Sequence, residues 1–194
     1  MAYGPITKDT TTVALGLAQI RVAAAATHVG YTTARLVAGD SIGSLANTKF
    51  TAEMNFWKHS SGFPKLEDMN IPLDAGAKLE CSFEEITPAN LAIARGLDPT
   101  SYTAAHSGEI ALGVLEAPVF LRMEAHYVFP TVAYTMDIIF PRAQVSGNIE
   151  LDFKDADGMQ SPIVFEAKRA DSAVDGGSAV WDSKPLGAIQ FLGG

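Results

Sequence analysis

The run from Tyr134 to Arg169, YTMDIIFPRAQVSGNIELDFKDADGMQSPIVFEAKR, constrains the fold more than any other part of the chain. Its spacing predicts three consecutive β-strands. In the middle one, Val145, Gly147, Ile149, Leu151 and Phe153 fall on one face, and Ser146, Asn148, Glu150 and Asp152 on the other. Side chains alternate across a strand with period two, so this segment presents one face to a core and one to water. A turn rich in Asp and Gly, Lys154 to Gly158, follows, and Pro162 opens the next strand. Those are the punctuation marks of a hairpin. What the acidic face looks at is the question that the rest of the sequence has to answer.

The chain is 194 residues long, which predicts one domain over 1–194 with a substantial core. Hydrophobic residues at 47% and charged residues at 19% describe a folded chain and exclude a disordered one. Seventeen Gly and ten Pro, with only short apolar runs between them, favour a mainly β protein with many turns. A formal net charge of −8 argues against a surface that grips nucleic acid, which needs clustered Lys and Arg. The single Cys81 lies on the apolar face of the alternating run Lys78–Glu84 and reads as a small buried hydrophobe, since one cysteine cannot close an intrachain disulfide. The start MAYGPITKDTTTV lacks the basic and apolar blocks of a signal peptide. The longest apolar run, Val22 to Ala26, falls far short of the ~20 residues of a membrane helix. The chain therefore reads as a soluble product of the cytoplasm.

In chain order, residues 1–11 read as an unpaired N-terminal arm and Thr12 to Val22 as a first strand. Ala23 to Asp40 is extended or loop, because Thr and Gly spoil its alanine run. Asn47 to Trp57 predicts a strand. Residues 58–76 then read as one long irregular loop carrying Phe63, Leu66, Met69, Ile71 and Leu73, too apolar to hang in water. Leu79 to Ile86 is a strand. The one helix covers about 87–96, with Thr87 as N-cap, Pro88 at the first helical position and Gly96 just past the end. Ile110 to Leu115 predicts a short strand, Val119 to Phe129 a clear one with Leu121, Met123, Ala125, Tyr127 and Phe129 on its apolar face, and Pro185 to Leu192 the last.

Catalytic chemistry finds little support. Glu84 with Glu85, or Glu150 with Asp152, resemble acid/base pairs only in spacing, and no aromatic setting raises either pKa. His28, His59, His106 and His126 lack metal-ligand spacing. The glycine-rich stretches match neither a P-loop nor a dinucleotide fingerprint, and no serine sits in a nucleophile elbow. Trp57 and Trp181 are isolated, which leaves a stacked sugar platform unsupported. No enzyme, cofactor or metal is expected.

Several extended patterns do carry a resemblance. They are GDSIGSLANTKF (Gly39–Phe50), SGFPKLED (Ser61–Asp68), LECSFEEITPANLAIARG (Leu79–Gly96) and EAHYVFP (Glu124–Pro130), followed in order by MDIIFPRAQVSGNIELDF (Met136–Phe153), PIVFEAKRADS (Pro162–Ser172) and AVWDSKPLGAIQF (Ala179–Phe191). In these the chain resembles the major tail proteins, the tail tube subunits of long-tailed bacteriophages and related prophage elements. The resemblance implies a β-sandwich or barrel-like fold with one flanking helix, and subunits that form hexameric rings stacked into a tube. Genomic DNA would pass through the lumen without specific binding. Tape measure, terminator and distal tail or baseplate proteins would be the other partners, and the virion tail, assembled in the host cytoplasm, the location. In such a ring, Glu80, Glu84, Glu124, Glu150 and Asp152 either line an acidic lumen or face outward as a solvated wall. Phe63, Leu66, Met69 and Ile71 either reach a neighbouring ring or pack back on their own sheet as an Ω-loop. The rival functions are a terminator or tube-initiation ring and, in another class, a β-sandwich module for host surfaces or sugars.

Overall fold

A computed structural model describes residues 16–24, 35–102, 108–113, 117–130, 134–146, 149–151 and 158–193. Among them seven strands form one antiparallel sheet: β1 (Gln19–Ala24), β2 (Leu45–Ser61), β3 (Leu66–Phe83), β4 (Leu121–Val128), β5 (Tyr134–Ser146), β6 (Ser161–Ala167) and β7 (Ala188–Gly193). The order across the sheet is β1-β4-β5-β6-β3-β2, with β7 paired to β5. The expected mainly β architecture is present.

The sheet curls. Ile42 donates its N–H to the Ile20 carbonyl at 3.0 Å, and Arg21 forms a bridge with Ser41. Three residues later the chain enters β2 beside Phe83 of β3. The segment 41–44 thus joins the β1 edge to the far side of the sheet and makes it barrel-like, which is one way of disposing of open edges. Inside, side chains of neighbouring strands meet in register. Leu79, Phe165 and Val145 form one rung across β3, β6 and β5, with Cys81 and Ile163 in the next. Ile20, Met123 and Phe140 continue the same core from the other strands.

α1 (Pro88–Arg95) closes one flank and forms where its local signals place it. Thr87 accepts the Asn90 N–H at 3.2 Å, Pro88 opens the first turn, and Gly96 ends the helix at φ 78. Ile93 and Ala94 join the core, and the Asn90 amide donates to the Ile42 and Glu85 carbonyls at 2.8 and 2.7 Å. Gly96 is required twice over, since a Cβ there would stand 2.7 Å from Pro118 as well as at positive φ.

Several boundaries differ from the sequence expectation. Residues 58–76 are not a loop: 58–61 and 66–76 are strand, and only 62–65 turn. Tyr134 to Ser146 is one continuous strand that passes through Pro141. One edge of β5 pairs with β4, while the other pairs with β7 along residues 134–139 and with β6 along 143–146. Pro141 falls between these two partners, where its missing N–H removes no ladder bond on that edge. The expected strand 145–153 is therefore not separate. Its first two residues end β5, Ile149 to Leu151 lie outside any strand, and Asp152 and Phe153 lie outside the described residues. Residues 110–113 are not strand, and the N-terminal arm 1–11 is likewise outside the described residues.

The back of β5 carries a second, smaller core of Ile139, Ala170 and Trp181, with Ala188 packed against it. The 168–187 segment makes this cover before turning into β7 at Gly187, where a Cβ would lie 2.0 Å from the Ile139 carbonyl oxygen.

Candidate functional site

The feature that the folded body does not account for is the far half of the β2–β3 hairpin. Up to Ala52 and from Ala77 onward the two strands lie over the core, with Phe50 and Leu79 packed inward. Beyond that point every residue of β2 and β3 is exposed except half-buried His59. β6 backs β3 only along Lys78–Phe83, and β2 is the last strand of the sheet. Nine residues of strand at about 3.3 Å each carry the tip ~30 Å out from the body. Both its edges are unpaired among the described residues.

This arm is apolar on both faces. Register places Trp57 beside Ile71 and His59 beside Met69 on one face, and Met54 beside Ala75 and Phe56 beside Pro72 on the other. Leu73 and Asp68 are the extra residues at two register shifts. Phe63 at the turn is 103% exposed, Leu66 68% and Leu73 67%. A two-stranded ribbon alone is marginal in water, and contiguous exposed apolar surface marks a place where another surface sits. Local polar contacts hold the tip in shape. Lys58 pairs with Glu67 at 3.1 Å, His59 with Asp68 at 2.7 Å, and Ser61 donates its hydroxyl to Asp68 at 2.5 Å. The Lys58 hydrogen bond holds the Glu67 carboxyl below its ordinary range, and the Ser61 bond, then His59, does the same for Asp68.

The four residues singled out from sequence, Phe63, Leu66, Met69 and Ile71, all sit on this arm and are all exposed. Met54, Phe56, Trp57 and Leu73 belong with them. Leu73 was already among the residues too apolar to hang in water, whereas Met54, Phe56 and Trp57 were not set apart within the strand expected over 47–57.

The acidic residues are dispersed. Glu80 stands on the outward face of β3, with Lys78 at 3.1 Å and Lys49 opposite it in register. The Lys78 hydrogen bond lowers the Glu80 pKa, and Glu80 raises that of Lys78. Lys78 also registers with Glu166, which pairs with Lys168 at 2.7 Å. This face alternates in sign and is not a uniform acidic field. Glu84 is exposed and accepts the Ser44 hydroxyl at 2.7 Å. Glu150 is exposed outside any strand, and Asp152 lies outside the described residues.

Glu124 requires a correction. It is 3% exposed, pairs with wholly buried Arg122 at 2.5 Å, and accepts the Leu36 N–H at 3.0 Å. The alternation of β4 does turn it away from the core, but residues 35–36 cover that face. It offers no carboxylate to water in this chain.

Among the described residues no three His, Cys, Asp or Glu side chains stand together as a metal site, and no helix is long and apolar enough to cross a membrane. A groove between β1, the 38–42 turn and α1 is lined by Val22, Asp40, Asn90, Ile93 and Tyr102, but the Asn90 amide is spent on two backbone carbonyls.

No protein-family model matches the chain, and no curated protein matches it. Among solved structures it is similar to a chain from the tail of an empty GTA particle, computed with helical refinement in C6 symmetry. The two share 9% identity at a TM-score of 0.42 over 90% of this chain and 95% of that one. A likeness that loose carries no functional argument.

Proposed function

We propose that this protein is a tail tube subunit: six copies form a ring, rings stack into a tube, and the tube conducts DNA out of a phage or phage-like particle. The observation that carries the proposal is the β2–β3 arm. A soluble monomer has no use for a ~30 Å ribbon with Phe56, Trp57, Phe63, Leu66, Met69, Ile71 and Leu73 in water. A stacking subunit does, because the arm can cross into the next ring and lay both apolar faces against neighbouring copies. The sequence patterns from Gly39 to Phe191 point the same way.

In this reading Phe63, Leu66, Met69 and Ile71 are the inter-ring anchors. Glu80, Glu84, Glu150 and Asp152 remain candidates for the lumen wall, and Glu124 does not. DNA carries one charge per ~1.7 Å of axis, so a conducting wall should avoid neutralising it. The Lys49, Lys78, Glu80 and Glu166 ladder makes such a wall close to neutral where Glu80 stands. The role is structural and non-catalytic, with tape measure, terminator and distal tail proteins as the other partners and the virion tail as the location.

The sugar-binding alternative is disfavoured by the arm itself. Phe56 and Trp57 are adjacent along β2, so they point to opposite faces and form no flat platform. Electron microscopy of the purified protein tests the proposal. Long hollow tubes are expected. Single rings that never stack would instead favour a terminator, and monomers at every concentration would overturn the tube reading.

A further inference from the structure

We infer that the unpaired edge of β7, with Tyr134, Ile189 and Phe191 on the face beside it, is the seat for the β2–β3 arm of a second copy of this chain. The inference rests on the tube reading for the arm leaving its own subunit, and adds where the arm lands.

The inner layer of the sheet runs out before the sheet does. Ile20, Ala125, Ile138 and Ile189 stand in one register row across β1, β4, β5 and β7, and their exposure goes from 0%, 1% and 9% to 49%. The next row on that face ends the same way, from buried Tyr127 through Met136 to Phe191 at 66%. Tyr134 completes the patch: its ring lies across Gly193, where a Cβ would stand 2.4 Å from the tyrosine Cε1. The opposite face of β7 is occupied, since Ala188 packs on the Trp181 core and Gln190 accepts from Arg35 at 2.5 Å. β7 is therefore held in place with its core-side residues uncovered, and beyond β5 it has no strand partner among the described residues.

The strand of this chain that could fill the place is turned away from it. β6 and β7 share one edge of β5 and run in the same direction, Ala167 facing Ala143 and Ala188 facing Ile139, four residues back along β5. β3 borders β6 with Lys78 opposite Glu166, so the same four residues back from Ala77 bring Leu73 about level with Ala188. No ladder joins β3 to β7, and residues 66–76 are all exposed. The occupant has to be an apolar strand with a free edge, and the arm of another copy is such a strand. Tyr134, Ile189 and Phe191 leave roughly 350 Å² of side chain open, close to the apolar share of the ~800 Å² that one partner gives a standard interface. β7 carries no charge, and the arm pairs Lys58 with Glu67 and His59 with Asp68 internally, so a tip laid on β7 strands none of the four. An arm passed from each copy to the next is a head-to-tail contact, which closes into rings or runs on as a filament.

The test places a photoreactive benzoylphenylalanine at Phe191 and irradiates an equal mixture of unlabelled and isotope-labelled protein at concentrations where the wild type self-associates. Mass spectrometry should find residue 191 joined to the 53–76 segment of the other isotopic copy. Cross-links to the arm of the same copy, between two β7 strands or to any other segment would overturn the inference, and so would none at all. Phe191→Lys, at an exposed position, should raise the concentration needed for self-association at least about tenfold and leave thermal unfolding of the monomer unchanged. Unchanged self-association in that folded variant would overturn the inference. If Phe191→Lys unfolds the chain, Ile189→Thr is read the same way, and loss of folding in both would overturn the seat by making β7 part of the core. Tubes whose cross-links fall elsewhere sink this seat and leave the tube reading standing. Dimers joined from 191 to the arm that never become tubes do the reverse, and protein that is monomeric at every concentration sinks both.

Discussion

Replacing Leu66, Met69, Ile71 and Leu73 together by Thr should abolish assembly and leave the subunit folded. The four residues are 68%, 49%, 42% and 67% exposed, so roughly half of their surface is still available to bury. Full burial of such a side chain is worth ~1.5–3 kcal/mol, so completing it on a neighbour adds ~1 kcal/mol each, about 4 kcal/mol per arm. At 1.4 kcal/mol per tenfold this is roughly a thousandfold loss in affinity at each inter-ring contact. Hot-spot values do not add strictly, so Phe63, wholly exposed at the tip, can shift the partition among residues without changing the sign. In the free subunit the same changes remove no core contact, and Thr keeps β-propensity. The Tm of the monomer should therefore move by less than about 4 °C. Thermal unfolding and sedimentation velocity on one preparation read the two effects separately. Tubes of normal length from the quadruple variant, or a subunit that no longer folds, would refute the reasoning. The first would deny the arm a contact, and the second would make it part of the core.

Four further outcomes follow from the same structure. Glu124→Ala should cost about 3–5 kcal/mol in urea unfolding, because it strips the carboxylate from buried Arg122, whereas a lumen-facing glutamate would cost little. Thr87→Ala and Gly96→Ala should each cost about 1–2 kcal/mol, the first through the lost cap and the second through positive φ and the Pro118 contact. Cys81 is 2% exposed and burial pushes its thiol pKa up to about 12, so it should resist a thiol reagent at pH 8 until denaturant is added. At the arm tip, hydrogen bonds from Lys58 to Glu67 and from Ser61 to Asp68 hold both carboxyls below their ordinary values. Their contribution is present above those values and is lost only as pH falls through the depressed folded ones. NMR titration should accordingly find the side-chain carboxyl midpoints of Glu67 and Asp68 below those of the same residues in the unfolded chain.

Where signals are local, the sequence alone determined the outcome. Thr87, Pro88 and Gly96 delimit α1 because capping and left-handed φ depend on immediate neighbours. The alternation of Val119–Phe129 identified the buried face of β4 residue by residue, since period two needs no knowledge of the partner strand. The sequence also singled out Phe63, Leu66, Met69 and Ile71 by residue type alone as too apolar to hang in water, and all four are exposed.

Tertiary structure alone decided what those faces meet. Residues 58–76 hid their strand character because two register shifts, at Leu73 and Asp68, break the alternation, and because both faces of a free ribbon carry apolar groups. The sequence did not show that Tyr134–Ser146 is one strand through Pro141, which holds because β7 hands over to β6 at that point. Glu124 was rightly turned away from the core, but only the fold could show that Leu36 and Arg122 enclose it. Period and capping are properties of a few consecutive residues, whereas cover, pairing edge and charge partner come from segments far away in the chain.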